Sequence, residues 1–217
     1  MAILFDLDGT LIDSAGDLAN AVNEVLGERA LGPLSVPSVR AMIGHGIRKL
    51  VERAHLACGL ALSGDGLDEA TRRMNVIYAR QLVCRTILLP GAAEAVSAAN
   101  ALGVPLALVT NKPERFAREI LHHFGLLSCF GITVGGDSPY RRKPAPDMLF
   151  HAARELRVPP AACIMVGDGE ADIAAAAAAG MPSLLVEGST QIDSRPTFRL
   201  ETLEHFADWL CIAGLQR

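Results

Sequence analysis

Short apolar runs alternate with helical patterns along the second half of the chain, and this alternation restricts the possible folds more than any other feature of the sequence. Strands that alternate with helices predict a parallel sheet with crossover connections. The predicted strands are residues 2–5, 105–109, 132–134, 163–166 and 183–186. The helices that separate them cover about residues 92–102, 113–124, 146–156 and 170–179. The expected fold class is therefore α/β, built on a five-stranded parallel sheet.

Between the first strand and residue 88 the hydrophobic periodicity stays helical. Ser14 and Asp17 have the spacing of a capping box, so a helix is expected to begin there. The remaining helices of this segment are predicted at residues 38–43, 47–56 and 67–82, with glycine-rich turns at residues 44–46 and 63–66. We therefore predict an α/β core domain from residues 1–14 and 88–217 and an all-helical inserted domain from residues 15–87.

The end of the chain has a further helical pattern. An amphipathic helix is predicted there from the apolar residues Leu200, Leu203, Phe206, Trp209 and Leu210.

The composition narrows the class of function. Of the 217 residues, 50% are hydrophobic and 20% are charged, which is typical of a globular protein. The net charge of -4 offers no basic excess, so we expect no nucleic-acid partner. Too few apolar residues precede Asp6 for a signal peptide, and no run is long enough to span a membrane, so a cytoplasmic protein without a membrane partner is expected.

The cysteines show no pattern of a metal or disulfide site. Their odd number and the absence of Cys-x-x-Cys spacing favour reduced thiols that fill the core. They are Cys58, Cys84, Cys129, Cys163 and Cys211.

Two carboxylates, Asp6 and Asp8, follow the first predicted strand and are two residues apart. Residues i and i+2 of an extended chain point to the same side, so both side chains can reach one small volume. Adjacent like charges need a cation between them or a shared proton, and both solutions serve catalysis. The alternative is that both are turn residues before Gly9.

The ends of the other strands carry chemistry as well. In an open parallel sheet, ligands bind beyond the carboxyl ends of the strands. The second strand is followed by Thr110-Asn111-Lys112, the third by Gly135-Gly136-Asp137, the fourth by Asp168 and Asp172, and the fifth by Glu187-Gly188, which offers little. Together with Lys143 in the loop after the third strand, these groups could bind a metal ion and a phosphate.

Each of these groups also has a simpler explanation. Thr110, just before a helix expected to start at Pro113, could bind anionic oxygen beside free amides or could only cap the helix. Lys143 could act as a point charge in the site or lie in solvent. Asp172 could face a metal or only favour the helix N-terminus.

Taken together, these motifs resemble those of the phosphatase branch of the haloacid dehalogenase superfamily. Their order and spacing are those of the family, and the resemblance covers nearly the whole chain. The resemblance implies a Rossmann-like core and hydrolysis of a phosphate monoester from a small phosphorylated metabolite. It implies that Asp6 is the nucleophile that forms an aspartyl-phosphate and that Asp8 is the acid and then the base. Thr110, with its neighbour Asn111, and Lys143 would bind the phosphoryl group.

The same resemblance implies a Mg²⁺ cofactor. Its ligands would be the Asp6 carboxylate, the Asp8 backbone carbonyl and Asp168, with Asp172 nearby or bound through water. Mg²⁺ prefers few carboxylates together with waters and substrate phosphate. Gly169 departs from the Ser or Thr found in many relatives, and we expect a modest effect on the order of this loop.

The helical insert resembles the mobile cap of part of this superfamily, which closes over the site. Residues 40–49 are similar to a cap segment of phosphoglycolate phosphatases, so 2-phosphoglycolate is the expected substrate. The loop could bring the amides of Gly44 and Gly46, or the side chains of His45 and Arg48, to a small carboxylate. The alternative is a turn between helices with Arg48 in solvent.

Several other functions remain open at this point. The same core chemistry serves phosphatases for a sugar phosphate or N-acetylmuramic acid 6-phosphate, pyrophosphatases and phosphosugar mutases. A phospho-Asp signalling domain or a non-catalytic binding protein belongs to a different class, but the first would not need the inserted helices and the second would not need every catalytic position filled. Either a monomer or a homodimer is compatible with the sequence.

Overall fold

The structure, a computed structural model, describes residues 1–186 and 192–212. The chain divides into two compact units, one formed by Met1–Ile12 with Leu88–Arg217 and the other by Asp13–Ile87. In chain order the elements are β1 (Ala2–Phe5), β2 (Ile12–Asp13), α1 (Ala15–Gly27), α2 (Val36–Arg40), α3 (Ile47–Ala57), α4 (Gly64–Gln81), β3 (Ile87–Leu88), α5 (Ala92–Ala101), β4 (Leu106–Val109), α6 (Glu114–His123), β5 (Ile132–Val134), α7 (Asp147–Glu155), β6 (Cys163–Gly167), α8 (Glu170–Ala179), β7 (Ser183–Val186), β8 (Phe198–Leu200) and α9 (Phe206–Ile212).

The α/β unit is organised around a parallel sheet. Among the described residues its strands lie in the order β5-β4-β1-β6-β7-β8, and β1 is hydrogen-bonded between β4 and β6. All four residues of β1 are buried, as expected for a strand covered on both faces. The α/β fold class is therefore confirmed, and the central strand is the one that leads into Asp6.

The predicted count of five strands was one short. The additional strand is β8, which pairs with β7 at the edge of the sheet. It has only three residues, and two of them are exposed. A strand this short and open lacks the apolar run by which the other strands were recognised. The predicted terminal helix is present as α9, but Leu200 belongs to β8.

One apolar cluster ties the helices of the α/β unit to the sheet. Helix α7 packs on β1, β4 and β5, while α8 packs on β6 and β7. The run Ala174–Ala179 leaves α8 with small side chains, so that this helix can approach the strands closely. The cluster includes Leu4, Ala107, Met148, Met165 and Ala175, all of them fully buried.

The second unit consists of helices, with α1 and α3 packed on α4 and α2 packed on α1. The predicted turn at residues 63–66 is wrong, because α4 begins at Gly64 with Ser63 as its N-cap. The predicted capping box is also wrong. Ser14 makes no side-chain capping bond, and the Asp17 carboxylate instead accepts hydrogen bonds from the Arg85 and Thr86 amides and from the Thr86 hydroxyl.

β2 and β3 pair in a separate two-stranded sheet where the chain passes from one unit to the other. Beside them, the Leu89 amide donates a hydrogen bond to the Leu11 carbonyl at 2.9 Å. The outgoing and returning connections therefore run side by side.

Two expectations about residue classes have different outcomes. The five cysteines are free thiols, but only Cys163 is buried, so the prediction that all of them fill the core is wrong for the other four. Within residues 1–186 and 192–212, no helix is both long enough and apolar enough to cross a membrane. The strand end at Glu187-Gly188 lies outside the described residues.

Candidate active site

Three neighbouring strands deliver polar side chains to one edge of the sheet. Asp6 follows β1, Thr110 follows β4 and Asp168 follows β6, each immediately after the last residue of its strand. The sheet hydrogen bonding continues into the first two positions, because the Asp6 amide donates to Val166 O and the Thr110 amide donates to Val134 O. The backbone of the site is thus an extension of the sheet and is correspondingly fixed.

Three carboxylates converge beyond this edge. In the described parts of the chain, one oxygen from each of Asp6, Asp168 and Asp172 lies within 4.8 Å of the other two. Asp6 and Asp172 are buried and Asp168 is half-buried. Hard oxygen ligands grouped in this way fit a divalent cation such as Mg²⁺.

Two glycines allow the carboxylates to come this close. A Cβ atom at Gly9 would lie 2.2 Å from Asp168 Oδ2, and a Cβ atom at Gly167 would lie 2.4 Å from Asp172 Cγ. Gly9 also has a φ of +91°, a region that L-residues rarely adopt. Positions 9 and 167 therefore require glycine, because the carboxylates occupy the space that a side chain would need.

Lys143 is the counter-charge inside the group. Its Nζ donates to Asp6 Oδ1 at 2.8 Å, to Asp172 Oδ1 at 2.6 Å and to the Val109 carbonyl at 2.6 Å. Only 2% of its side chain is exposed. Burial by itself would lower the pKa of Lys143, but Asp172 and Asp6 outweigh that effect and raise it. The side chain is therefore a buried cation and not a solvated loop lysine.

Burial raises the pKa values of Asp168 and Asp6. It raises the pKa of Asp168 to about 8, with further contributions from the charges of Asp6 and Asp172. It raises the pKa of Asp6 to about 6, although Lys143 works against the shift. Burial and mutual repulsion both disfavour the ionised carboxylates, and a divalent cation among them would favour ionisation.

Asp172 favours the helix N-terminus, one of the two roles considered from sequence, and also binds Lys143. Its Oδ1 accepts from Lys143, while its Oδ2 accepts from the Gly169 amide and so caps the N-terminus of α8. Gly169 contributes only its backbone to this contact. A hydroxyl at position 169 is therefore not required for the loop to be anchored.

Thr110 and Asn111 lie in the loop between β4 and α6, and both are buried. Thr110 Oγ1 accepts from the Lys112 amide at 3.2 Å, and Asn111 Nδ2 donates to the Lys143 carbonyl at 2.9 Å. The expected free amides at the helix start are partly used, since the Glu114 amide donates to Asp137 Oδ1. Asn111 thus joins the Thr110 loop to the Lys143 loop.

Lys112 was named as part of a strand end but was not predicted to have a role. Its Nζ donates to both carboxylate oxygens of Asp8, at 2.8 and 3.0 Å, and 3% of its side chain is exposed. The Asp8 carboxylate is not a member of the group formed by Asp6, Asp168 and Asp172. The available signal was a lysine two residues after the site threonine, in the loop that follows a strand adjacent to β1.

The predicted cap residues belong to the helical unit. Gly44 and Gly46 have φ values of +103° and +82°, so the loop between α2 and α3 depends on them. His45 is exposed on this loop. Its pKa is lowered by partial burial and by the positive charges of Arg53 and Lys49. Arg48 binds Asp68 on α4 through its Nε and Nη2 atoms, at 3.1 and 2.9 Å.

Comparison with known proteins relates most of the chain to one group of enzymes. A family model described as haloacid dehalogenase-like hydrolase matches residues 1–180. The phosphoglycolate phosphatase of Rhodospirillum rubrum is 38% identical over 212 residues, which cover 96% of this chain and 87% of that protein. The phosphoglycolate phosphatase of Psychrobacter arcticus is 38% identical over 84% of this chain and 81% of its own length.

A solved structure leads to the same group. The crystal structure of a protein described as a predicted phosphoglycolate phosphatase from Haemophilus somnus 129pt has a TM-score of 0.86 and 31% identity, over 98% of this chain and 97% of that one. The resemblance inferred from the motifs is confirmed, and the protein is an enzyme of the phosphoric monoester hydrolase class. The chain belongs to the haloacid dehalogenase-like hydrolase family.

Proposed function

We propose that this protein is a Mg²⁺-dependent phosphatase that hydrolyses 2-phosphoglycolate through an aspartyl-phosphate intermediate on Asp6. The observation that carries the proposal is a group of side chains at the end of the central strand. In it the buried Lys143 donates a hydrogen bond to Asp6, and two further carboxylates lie close to Asp6. A nucleophile, a fixed cation and a metal-binding group within one small volume are what phosphoryl transfer requires.

In the first step, a carboxylate oxygen of Asp6 attacks phosphorus, and the bond between phosphorus and the ester oxygen breaks. Asp8 gives its proton to the departing alkoxide and becomes a carboxylate. In the second step, Asp8 removes a proton from water, and the water oxygen attacks the phosphorus of the aspartyl-phosphate. Phosphate leaves and the Asp6 carboxylate is restored. A pKa of about 6 leaves Asp6 mostly ionised, and so nucleophilic, near neutral pH.

Thr110, Asn111 and Lys143 are the proposed ligands of the phosphoryl oxygens. The buried Lys143 ammonium sits against the Asp6 carboxylate, where negative charge accumulates on the oxygens during transfer. Asn111 supports it by binding the Lys143 carbonyl. These contacts favour a role for Lys143 in stabilising the transition state and disfavour the alternative of a solvent-exposed loop lysine.

Asp6, Asp168 and Asp172, with the backbone carbonyl of Asp8, are the proposed ligands of Mg²⁺. When bound, the ion would neutralise charge on the phosphate and polarise it. If all four aspartates are ionised, the ammonium groups of Lys112 and Lys143 leave a formal charge of -2, which matches a divalent cation.

We propose that residues 15–87 form a cap domain that reads the organic part of the substrate. The relatives named phosphoglycolate phosphatase, 38% identical to this chain, support 2-phosphoglycolate as that substrate. His45 and the glycine loop are the favoured contacts to its carboxylate. Arg48 is the weaker candidate because Asp68 already binds its guanidinium.

Phosphate release tests the proposal, measured with Mg²⁺ on 2-phosphoglycolate, sugar phosphates including N-acetylmuramic acid 6-phosphate, nucleotides and pyrophosphate. We expect 2-phosphoglycolate to lead by about tenfold or more in kcat/KM, equivalent to roughly 1.4 kcal/mol of transition-state binding. The His45→Ala variant should remove that lead, with Arg48→Ala as the second candidate. His122→Ala, an exposed histidine on α6, is the matched control.

The mechanism has its own controls. The Asp6→Asn variant and EDTA should each abolish phosphate release, and a trapped phosphoryl group should be found on Asp6. A different leading substrate would reject 2-phosphoglycolate but keep the phosphatase. A long-lived phosphoenzyme accompanied by isomerisation of a phosphosugar would replace the phosphatase by a mutase, and turnover by Asp6→Asn would reject the mechanism.

A further inference from the structure

Lys112 is a buried lysine to which the proposed function gives no role. Its ammonium group forms a two-point contact with the Asp8 carboxylate, at 2.8 and 3.0 Å. The exposed fractions of the two side chains are 3% and 12%. Removing a lysine from water is costly, so a buried one is retained where its charge has a specific partner. That partner is the side chain assigned to proton transfer.

The backbone of Lys112 is held from both sides. Its amide donates to Thr110 Oγ1 at 3.2 Å, and its carbonyl accepts from the Gly136 amide at 2.8 Å. Gly136 fits against this loop because it lacks a side chain, since a Cβ atom there would lie 2.2 Å from the Asn111 carbonyl oxygen. The Lys112 side chain therefore starts from a fixed point.

Asp8 needs such a partner because two residues separate it from the last residue of β1. It lies beyond β1, next to the left-handed turn at Gly9, and an isolated bridge joins it to Ile12. An aspartate side chain has staggered alternatives that differ little in energy. Proton transfer, in contrast, requires the carboxyl group to be within hydrogen-bond distance of one defined oxygen.

The two buried lysines thus divide the acidic side chains into two sets. Lys143 binds Asp6 and Asp172, which belong to the metal-binding group. Lys112 binds Asp8, whose carboxylate is outside that group. A carboxylate that ligates the cation cannot serve freely as a proton carrier, so the separation has a chemical purpose.

We propose that Lys112 is a positioning residue for proton transfer by Asp8. It holds the Asp8 carboxyl group through one oxygen, away from the metal-binding carboxylates, so that the other oxygen carries the proton that goes to the leaving oxygen and then takes a proton from the attacking water. The proposal rests on the proposed function, because it assumes that Asp8 is the acid and base. It adds that a second lysine, on the loop after Thr110, is required for the aspartate to act.

The test compares esters that differ in their need for an acid. An alkoxide leaving group needs a proton from Asp8, whereas the phenolate of p-nitrophenyl phosphate leaves without one. The variants are Lys112→Met, which keeps the length but removes the charge, and Lys112→Arg, which keeps the charge. The alkyl ester is the one that the wild-type enzyme hydrolyses fastest among 2-phosphoglycolate, ethyl phosphate and sugar phosphates. Values of kcat/KM report the first chemical step for both classes.

We expect Lys112→Met to reduce kcat/KM for the alkyl ester by about 10²-fold or more, in the range of lost acid catalysis. The reduction for p-nitrophenyl phosphate should be about tenfold or less. Lys112→Arg should recover a large part of the alkyl-ester activity, and Asp8→Asn should show the same selective loss as Lys112→Met. Arg72→Met, which removes an exposed cation on α4, serves as the matched control.

Other outcomes overturn the proposal. An equal loss for both ester classes would make Lys112 structural or phosphate-binding. A loss for 2-phosphoglycolate but not for ethyl phosphate would make it a ligand of the substrate carboxylate. If Lys112→Met does not fold, Lys112→Arg tests the proposal instead. Its guanidinium group binds Asp8 in a different geometry, which should still change the ratio of kcat/KM between the two esters. An Asp8→Asn variant without selective loss rejects the proposed function itself, and this result is distinct from a failure of Lys112 alone.

Discussion

A buried ion pair of the α/β unit differs in kind from an exposed ion pair of the helical unit. In the α/β unit, Lys143 and Asp172 have side chains that are 2% and 4% exposed. In the helical unit, Arg48 and Asp68 form a pair at 2.9 Å with side chains that are 47% and 54% exposed. A buried charge depends on its partner, whereas solvent replaces most of what an exposed partner provides. The charges of Lys143 and Asp172 are therefore held in place, whereas the charges of Arg48 and Asp68 can be exchanged at little cost.

The largest expected effect is that of Lys143→Met. It leaves Asp6 and Asp172 without their counter-charge, so the free energy of unfolding should fall by about 3–5 kcal/mol at pH 8 in EDTA. The loss should be smaller at pH 5, because protonation of carboxylates with raised pKa values removes the repulsion. Urea unfolding at both pH values measures it. Lys49→Met, at an exposed pair with Glu52, is the control, and an equal loss at both pH values would contradict the explanation.

Mg²⁺ should stabilise the protein more at high pH than at low pH. The folded-state pKa of Asp168, about 8, exceeds its unfolded value of 3.8, so the metal-free fold loses stability as pH rises from about 4 through about 8. At a concentration 100 times its Kd, Mg²⁺ should add about 2.7 kcal/mol. This corresponds to roughly 5–10 °C in Tm near pH 8.5.

Thermal unfolding with MgCl₂ or EDTA at pH 5.5 and pH 8.5 checks this prediction. The shift should be much smaller at pH 5.5, where protons compete for the carboxylates. Asp168→Asn should remove most of the shift at pH 8.5. Equal shifts at both pH values would show that the protonation of Asp168 is not linked to metal binding.

A buried aspartate in the helical unit tests whether the stability contribution of a charged side chain depends on its burial and not on the unit in which it lies. Asp17 is fully buried and accepts hydrogen bonds from the Arg85 and Thr86 backbone amides. Asp17→Asn would set an amide group against these donors and should cost about 1–3 kcal/mol. Urea unfolding measures the cost, with Asp65→Asn in the exposed first turn of α4 as control. If Asp17→Asn lowers the free energy of unfolding no more than Asp65→Asn does, burial alone does not explain the contrast between the two ion pairs.

The smallest effect is expected for the exposed pair. In a double-mutant cycle, Arg48→Ala and Asp68→Ala should show a coupling energy below about 1 kcal/mol. The coupling should weaken further in about 1 M salt, where the Debye length is near 3 Å. Chemical unfolding of the four proteins gives the value. A coupling of several kcal/mol would remove the contrast between the two units.

The parts of the site that follow strands could be predicted from sequence, because a parallel sheet places all of its strand ends at one edge. Asp6, Thr110 and Asp168 each follow directly after a strand, and each strand was recognisable as an apolar run. Strand β8 was missed because its side chains are mostly exposed. Periodicity reports burial, so it fails where an element is not buried.

Contacts between distant residues were harder to predict. The spacing of Ser14 and Asp17 matches a capping box, but the Asp17 carboxylate is used by Thr86, 69 residues later. The pair of Lys112 and Asp8 joins residues 104 positions apart. Local sequence patterns describe neighbours within a turn or two, and the partner of a buried charge is decided by packing of the whole unit.

The side-by-side course of β2 and β3 makes the helical segment replaceable. Its two ends meet the rest of the chain at neighbouring points, so a segment of different length or sequence can be inserted there without moving β1 away from β4 and β6. Exchange of residues 13–87 as one cassette would leave every strand-end carboxylate where it is. Under the function proposed above, such an exchange should change the substrate range and leave the chemistry unchanged.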